Sequence, residues 1–116
     1  RLFPLEEKLQ DAGSVVAGCG PAFAAMFLEA MADGGVACGL PRAAAVQYAA
    51  QMMLGTAKMV LETGQHPGVL KDSVCSPAGS TIQGVQTLEK CGMRAAVFDA
   101  VTVAYEKNVE LKKASD

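Results

Sequence analysis

The chain has 116 residues, with 10 Lys and Arg set against 12 Asp and Glu for a net charge of −2. That length fits one domain with a modest core, and a mildly acidic chain with no run of Lys or Arg interleaved with aromatics excludes a nucleic-acid surface as the expected partner. Hydrophobic residues make up 51% of the sequence, but only four Phe, two Tyr and no Trp are among them; Ala and Met take their place, which favours close-packed helices over a sheet.

A first short helix is predicted from near Leu5 to near Ala17, loosened by Gly13. Gly18-Cys19-Gly20 reads as a break, and Pro21 restarts the chain at the first position of a second helix. That helix, Pro21 to about Cys38, is apolar nearly all round. Only Glu29 and Asp33 interrupt it, on one face; an ion-pair or capping role suits them, because two carboxylates alone define no reaction. A helix apolar on every side needs neighbours on every side, more than a domain of this size encloses, so a partner surface is expected.

Gly39 closes the second helix and Pro41 opens the third, from about Arg42 to Thr63, ended by Gly64. Gln47, Gln51, Lys58 and Glu62 form its polar stripe. A short helical turn from Pro67 to Ser73 follows, then a helix from Ser80 to Lys90 closed by Gly92, and a last one from Met93 to about Lys113. No strand-like alternation and no internal repeat stand out. The expected fold is all-α, a helical bundle, with residues 1–116 forming a single domain.

The longest apolar run, Pro21 to Leu28, is too short to cross a bilayer, and no segment reads as a signal peptide, so no membrane association is expected. Cys19, Cys38, Cys75 and Cys91 are spread out with no CxxC pair, and the chain has one His. No metal site is expected, and free thiols in a reducing compartment are the default. A cytoplasmic location follows, which the sequence does not separate from an organelle. The opening Arg1-Leu2-Phe3, without Met, reads as a fragment or a processed chain.

Most candidates for chemistry fall away. Gly18-Cys19-Gly20 fails as a dinucleotide fingerprint: no hydrophobic strand leads into it, the third glycine is missing, and no acidic residue closes a second strand. His66 stands alone before Pro67 and reads as structural or exposed. Tyr48 and Tyr105 read as packing groups, and no basic residue stands beside Cys19 or Cys75 in sequence to make a nucleophile.

The stretch Ser76-Pro77-Ala78-Gly79-Ser80-Thr81 remains. It is a stiff, side-chain-poor turn placed directly before a helix, and Ser80 with Gln83 reads as a capping box. Unpaired N–H groups and the positive end of the helix dipole suit a small anion, a carboxylate or a phosphate. The plainer reading is a connector ending in a Ser cap, worth about 1 kcal/mol with no ligand.

This segment resembles the signature of pyrroline-5-carboxylate reductases, Ser-Pro-Gly-Gly-Thr/Ala-Thr running into a helix. Gly18-Cys19-Gly20-Pro21-Ala22-Phe23 is similar to the family's Gly-Ser-Gly-Pro-Ala-aromatic segment. Ala32-Asp33-Gly34-Gly35-Val36, Gly39-Leu40-Pro41-Arg42, His66-Pro67, Leu70-Lys71-Asp72, Leu88-Glu89, Gly92 and Arg94-Ala95-Ala96 also match in order and spacing. The resemblance implies the C-terminal, helical domain of such an enzyme, interleaved with a second copy in a homodimer, which in many members of the family assembles further into rings of dimers. It implies substrate binding by Ser76, Gly79, Ser80 and Thr81. Thr81 is the catalytic candidate, its hydroxyl orienting the ring nitrogen of 1-pyrroline-5-carboxylate on the way to L-proline. NADPH or NADH would be bound mainly by an N-terminal Rossmann domain absent from this sequence. Ala78, Ser80 and Cys19 depart from the family pattern, the first two at the ligand. Two rivals stand beside this reading. One is a reductase of hydroxy or keto acids with a catalytic lysine or histidine on the long helix, for which Lys58 is the candidate. The other is a helical oligomerisation module with no ligand.

Overall fold

The computed structural model describes residues 5–115, so the opening Arg1-Leu2-Phe3 lies outside the described residues. Among these the chain is all-α: a 3₁₀ turn at Glu7–Leu9, α1 (Gln10–Ser14), a π-helical turn at Val15–Cys19, α2 (Gly20–Ala37), α3 (Arg42–Thr63), α4 (Pro67–Ser73), α5 (Ser80–Lys90) and α6 (Met93–Ser115). It divides into two compact units. One joins the chain up to Ala25 with the stretch from Gly92 onward, and the other is Met26–Cys91.

The expected break at Gly18-Cys19-Gly20 does not occur. Helix runs without interruption from Gln10 to Ala37. Pro21 lacks an N–H and its ring would crowd a carbonyl one turn earlier; the chain meets this by widening into the π turn immediately upstream rather than by stopping. The continuous helix also corrects the estimate of apolar length. At 28 residues, Gln10–Ala37 is long and apolar enough to cross a membrane by length and composition. The run from Pro21 to Leu28 looked short because a break was placed before it and Glu29 follows it.

In the first unit α6 packs on α1 and the π turn. Val15 is fully buried there, and Lys112 Nζ meets the Asp11 carboxylate at 3.2 Å. That pair is exposed and contributes little, about 0–1 kcal/mol.

In the second unit, the joint between α2 and α3 is a Schellman closure. Gly39 takes φ +110°, its N–H donates to the Val36 carbonyl at 2.9 Å, and Leu40 N–H donates to the Gly35 carbonyl at 3.0 Å. Leu40 then folds back over Gly35, where a Cβ would lie 3.2 Å from Leu40 Cδ1 and 3.3 Å from Ala45 Cβ. Across the same joint Arg42 Nη1 donates to Asp33 Oδ1, which gives Asp33 the ion-pair role expected of it. Ala32, Ala45 and Ala49 are the buried residues of this unit. Small side chains at these positions let helices approach closely, but they bury little apolar area.

α4 has a cap that residue type alone did not suggest. His66 stands at the N-cap before Pro67, and its Nδ1 accepts from Gly68 N–H at 3.0 Å, so the ring proton sits on Nε2. His66→Ala is expected to remove about 1 kcal/mol of stability, and His66→Asn to keep most of it, read from chemical denaturation of the intact protein.

The core is thin. Val15, Ala32, Ala45 and Ala49 are its buried hydrophobic residues among those described. On α3, Tyr48, Met52 and Met59 are exposed on one side of the polar stripe and Leu54 and Leu61 on the other; on α6, Phe98 and Val103 are exposed. Side chains of this kind, left bare over several helices, mark an interaction surface.

Candidate functional site

The segment from Ser76 to Thr81 joins α4 to α5 inside the second unit. Gly79 N–H donates to the Ser76 carbonyl at 3.1 Å, closing a four-residue turn. Pro77 is its second residue, and Ala78, its third, has φ +60°. Proline followed by a residue with positive φ is the type II turn, which favours glycine at that third position. Ala78 is the one non-glycine residue with positive φ among those described, a placement that costs an L-residue about 1–2 kcal/mol. Ala78→Gly is therefore expected to stabilise the intact protein by about 0.5–1 kcal/mol, after allowing for the freedom glycine adds to the unfolded chain. A higher denaturation midpoint is the readout.

Gly79 is needed for space. A Cβ built on it would fall 2.5 Å from Ser76 Oγ and 3.3 Å from the Ser76 carbonyl oxygen. The Ser76 hydroxyl thus lies against the bare Cα of Gly79, beside the start of α5.

The capping box expected from Ser80 and Gln83 is not formed. The N-cap is Gly79, in an extended conformation, with no side-chain cap, and Ser80 is already the first helical residue. The turn fixes this register: once Gly79 N–H is engaged by Ser76, its own carbonyl becomes the first acceptor of the helix, for Gln83 N–H at 3.4 Å. The Gln83 side chain goes elsewhere, Nε2 donating to the Ala78 carbonyl at 3.3 Å. The donor set therefore differs from the simplest sequence reading. Gly79 N–H is occupied within the turn, and the N–H groups of Ser80, Thr81 and Ile82 are those that precede the first intrahelical donor, Gln83 N–H.

Thr81 stands apart from the other helical threonines. Thr56, Thr63 and Thr87 each donate a hydroxyl hydrogen bond to the carbonyl four residues back, and Thr102 to the one three back. At the second position of α5, Thr81 has no helical carbonyl behind it. It is exposed, and no hydrogen bond within the chain occupies its hydroxyl among the described contacts. Ser76 and Ser80 are exposed as well. The structure thus brings Ser76, Gly79, Ser80 and Thr81 together at one helix start, open to solvent: three hydroxyls and three amides facing the positive end of a dipole suit a small carboxylate.

Lys58 lies on α3, paired with Glu62 at 3.9 Å, with side-chain exposures of 68% and 66%. Nothing around it desolvates the amine, as a catalytic lysine requires. All four cysteines are free thiols. Among the described residues no group of His, Cys, Asp and Glu stands close enough to hold a metal ion.

Residues 7–111 match the family model described as pyrroline-5-carboxylate reductase dimerisation. Pyrroline-5-carboxylate reductase of Escherichia coli K12 is 57% identical over 98 residues, covering 84% of this chain and 36% of that relative. The Arabidopsis thaliana enzyme is 49% identical over 113 residues, covering 97% of this chain and 41% of the relative. The chain therefore spans about two fifths of the length of these relatives. A crystal structure of Plasmodium falciparum pyrroline carboxylate reductase with NADP bound superposes with a TM-score of 0.84 at 36% identity, over 90% of this chain and 40% of the other. The Coxiella burnetii pyrroline-5-carboxylate reductase gives 0.87 at 31% identity, over 95% of this chain and 41% of the other.

Proposed function

This chain belongs to the pyrroline-5-carboxylate reductase family, whose dimerisation domain it carries, and on that basis we propose that it serves an enzyme reducing 1-pyrroline-5-carboxylate to L-proline with NADPH or NADH. The observation that carries the reading is the uncommitted hydroxyl of Thr81 beside the first amides of α5.

Nothing among the described residues fits a dinucleotide. Gly18, Cys19 and Gly20 lie inside a continuous helix, not at a strand-to-helix turn. The nicotinamide cofactor is held mainly by a part of the enzyme outside this chain, and this chain supplies the substrate side of the site. The N–H groups of Ser80, Thr81 and Ile82, with the hydroxyls of Ser76 and Ser80, hold the substrate carboxylate. Hydrogen bonds to a charged group contribute about 1.5–3 kcal/mol each. Gly79 keeps the approach clear. The Thr81 hydroxyl meets the ring nitrogen and fixes which face of the C=N bond is presented, so its contribution is orientation.

The exposed apolar faces of α3 and α6 support a homodimer in which helices of two copies cover one another. Assembly into a ring of dimers and a cytoplasmic location belong to the same reading. The test is direct: the intact enzyme oxidises NADPH or NADH only when 1-pyrroline-5-carboxylate is added and releases L-proline. Cofactor oxidation with hydroxy or keto acid substrates and none with the imine would overturn the reading.

A further inference from the structure

We infer that Gln83 is a positioning residue for the carboxylate cradle, holding the turn before α5 in the geometry that aims the first helical amides at one point. The inference rests on the proposed substrate site at Ser76 to Thr81.

Gln83 grips two consecutive carbonyls. Its side-chain Nε2 donates to the Ala78 carbonyl at 3.3 Å, and its main-chain N–H donates to the Gly79 carbonyl at 3.4 Å. The peptide unit between Ala78 and Gly79 is thereby pinned at both ends, its N–H by the Ser76 carbonyl at 3.1 Å and its oxygen by Gln83. That unit is where restraint matters. It follows the residue with unfavourable positive φ, Ala78, and it leads into Ser80, whose amide opens the cradle. An alanine in the left-handed region gains by relaxing. Any such relaxation would carry the Ser76 hydroxyl, which lies against Gly79, out of register with the amides of α5. With glycine at the third position of the turn no such pressure exists, so the tether and the alanine belong together. Gln83 touches no reacting atom; it acts through Ala78 and Gly79.

The test is a double-mutant cycle in the intact reductase. Gln83→Met keeps side-chain length and helix propensity but removes the donor. It is expected to raise KM for 1-pyrroline-5-carboxylate about fivefold, the worth of one hydrogen bond, with kcat held within about twofold and KM for NADPH unchanged, the pattern of lost ground-state binding. In an Ala78→Gly background the same substitution is expected to change KM by less than about twofold, because the two sites are coupled. An unchanged KM in Gln83→Met overturns the inference. So does an equal rise in both backgrounds, or a joint loss of kcat, cofactor affinity and melting temperature, each of which marks general loosening of α5. If the parent enzyme does not reduce the imine, the proposed function itself fails, before any variant is compared.

Discussion

Thr81→Val in the intact enzyme is expected to lower kcat/KM for 1-pyrroline-5-carboxylate by about 10²-fold, equal to about 2.7 kcal/mol of transition-state stabilisation. Valine matches threonine in shape and removes only the hydroxyl. Because no hydrogen bond among the described contacts occupies that hydroxyl, unlike those of Thr56, Thr63, Thr87 and Thr102, the substitution removes no described contact of the fold, and the melting temperature is expected to stay in place. Thr81→Ser, which restores the hydroxyl, is expected to recover most of the rate. Steady-state kinetics at saturating NADPH decide the matter: turnover within about twofold of the parent would remove Thr81 from the reaction.

The second large effect concerns assembly. Leu54 and Leu61 lie one above the other on one side of the α3 polar stripe and are 62% and 76% exposed in the isolated chain. On a true monomer surface, two aspartates there would change stability by no more than about 0.5 kcal/mol each. If a second copy covers the helix, each leucine buries area worth about 1.5–3 kcal/mol, each aspartate leaves an unpaired charge in that contact, and two-fold symmetry counts every change twice. The double variant Leu54→Asp/Leu61→Asp is expected to lose the dimer altogether, with melting of the chain, because its buried core among the described residues is Val15 and three alanines. Light scattering of the intact protein at micromolar concentration is the measurement. A dimer of undiminished stability would place the partner on another face.

Glycine and proline made most of the helix boundaries legible. From Gly39 onward the joints before α3, α4 and α6 fall where a left-handed glycine or a helix-starting proline puts them, because those constraints act within one or two residues, while α5 starts after Gly79 at φ −79°. The scarcity of a core was legible too, in a second helix apolar all round. What sequence did not disclose were outcomes decided by competition between neighbours. At Pro21 a helix stop competed with a widened turn, and the π turn at Val15–Cys19 kept the helix continuous. At Ser80 a serine cap competed with the type II turn, and the turn, closed by Ser76 and Gly79, took the cap position for Gly79. The candidate site was legible as a cluster of residue types. Which amides stay available, and where the Gln83 side chain goes, depended on that register. The His66 cap carried a signal, since the residue before a proline-started helix is the cap position whatever its type.

The π turn at Val15–Cys19 carries a consequence for how this helix is related to simpler ones. A single π turn is one residue more than an α-helix needs, and one residue is about 100° of rotation. Everything upstream is therefore dialled round by that angle relative to α2, and it is in this phase that Asp11 faces Lys112. Excising one residue between Val15 and Cys19 would restore a regular spiral, swing Asp11 away from its partner and press the Pro21 ring against the backbone behind it. The surplus residue works as a phase adjuster, setting which side of α1 is turned toward α6 within the first unit.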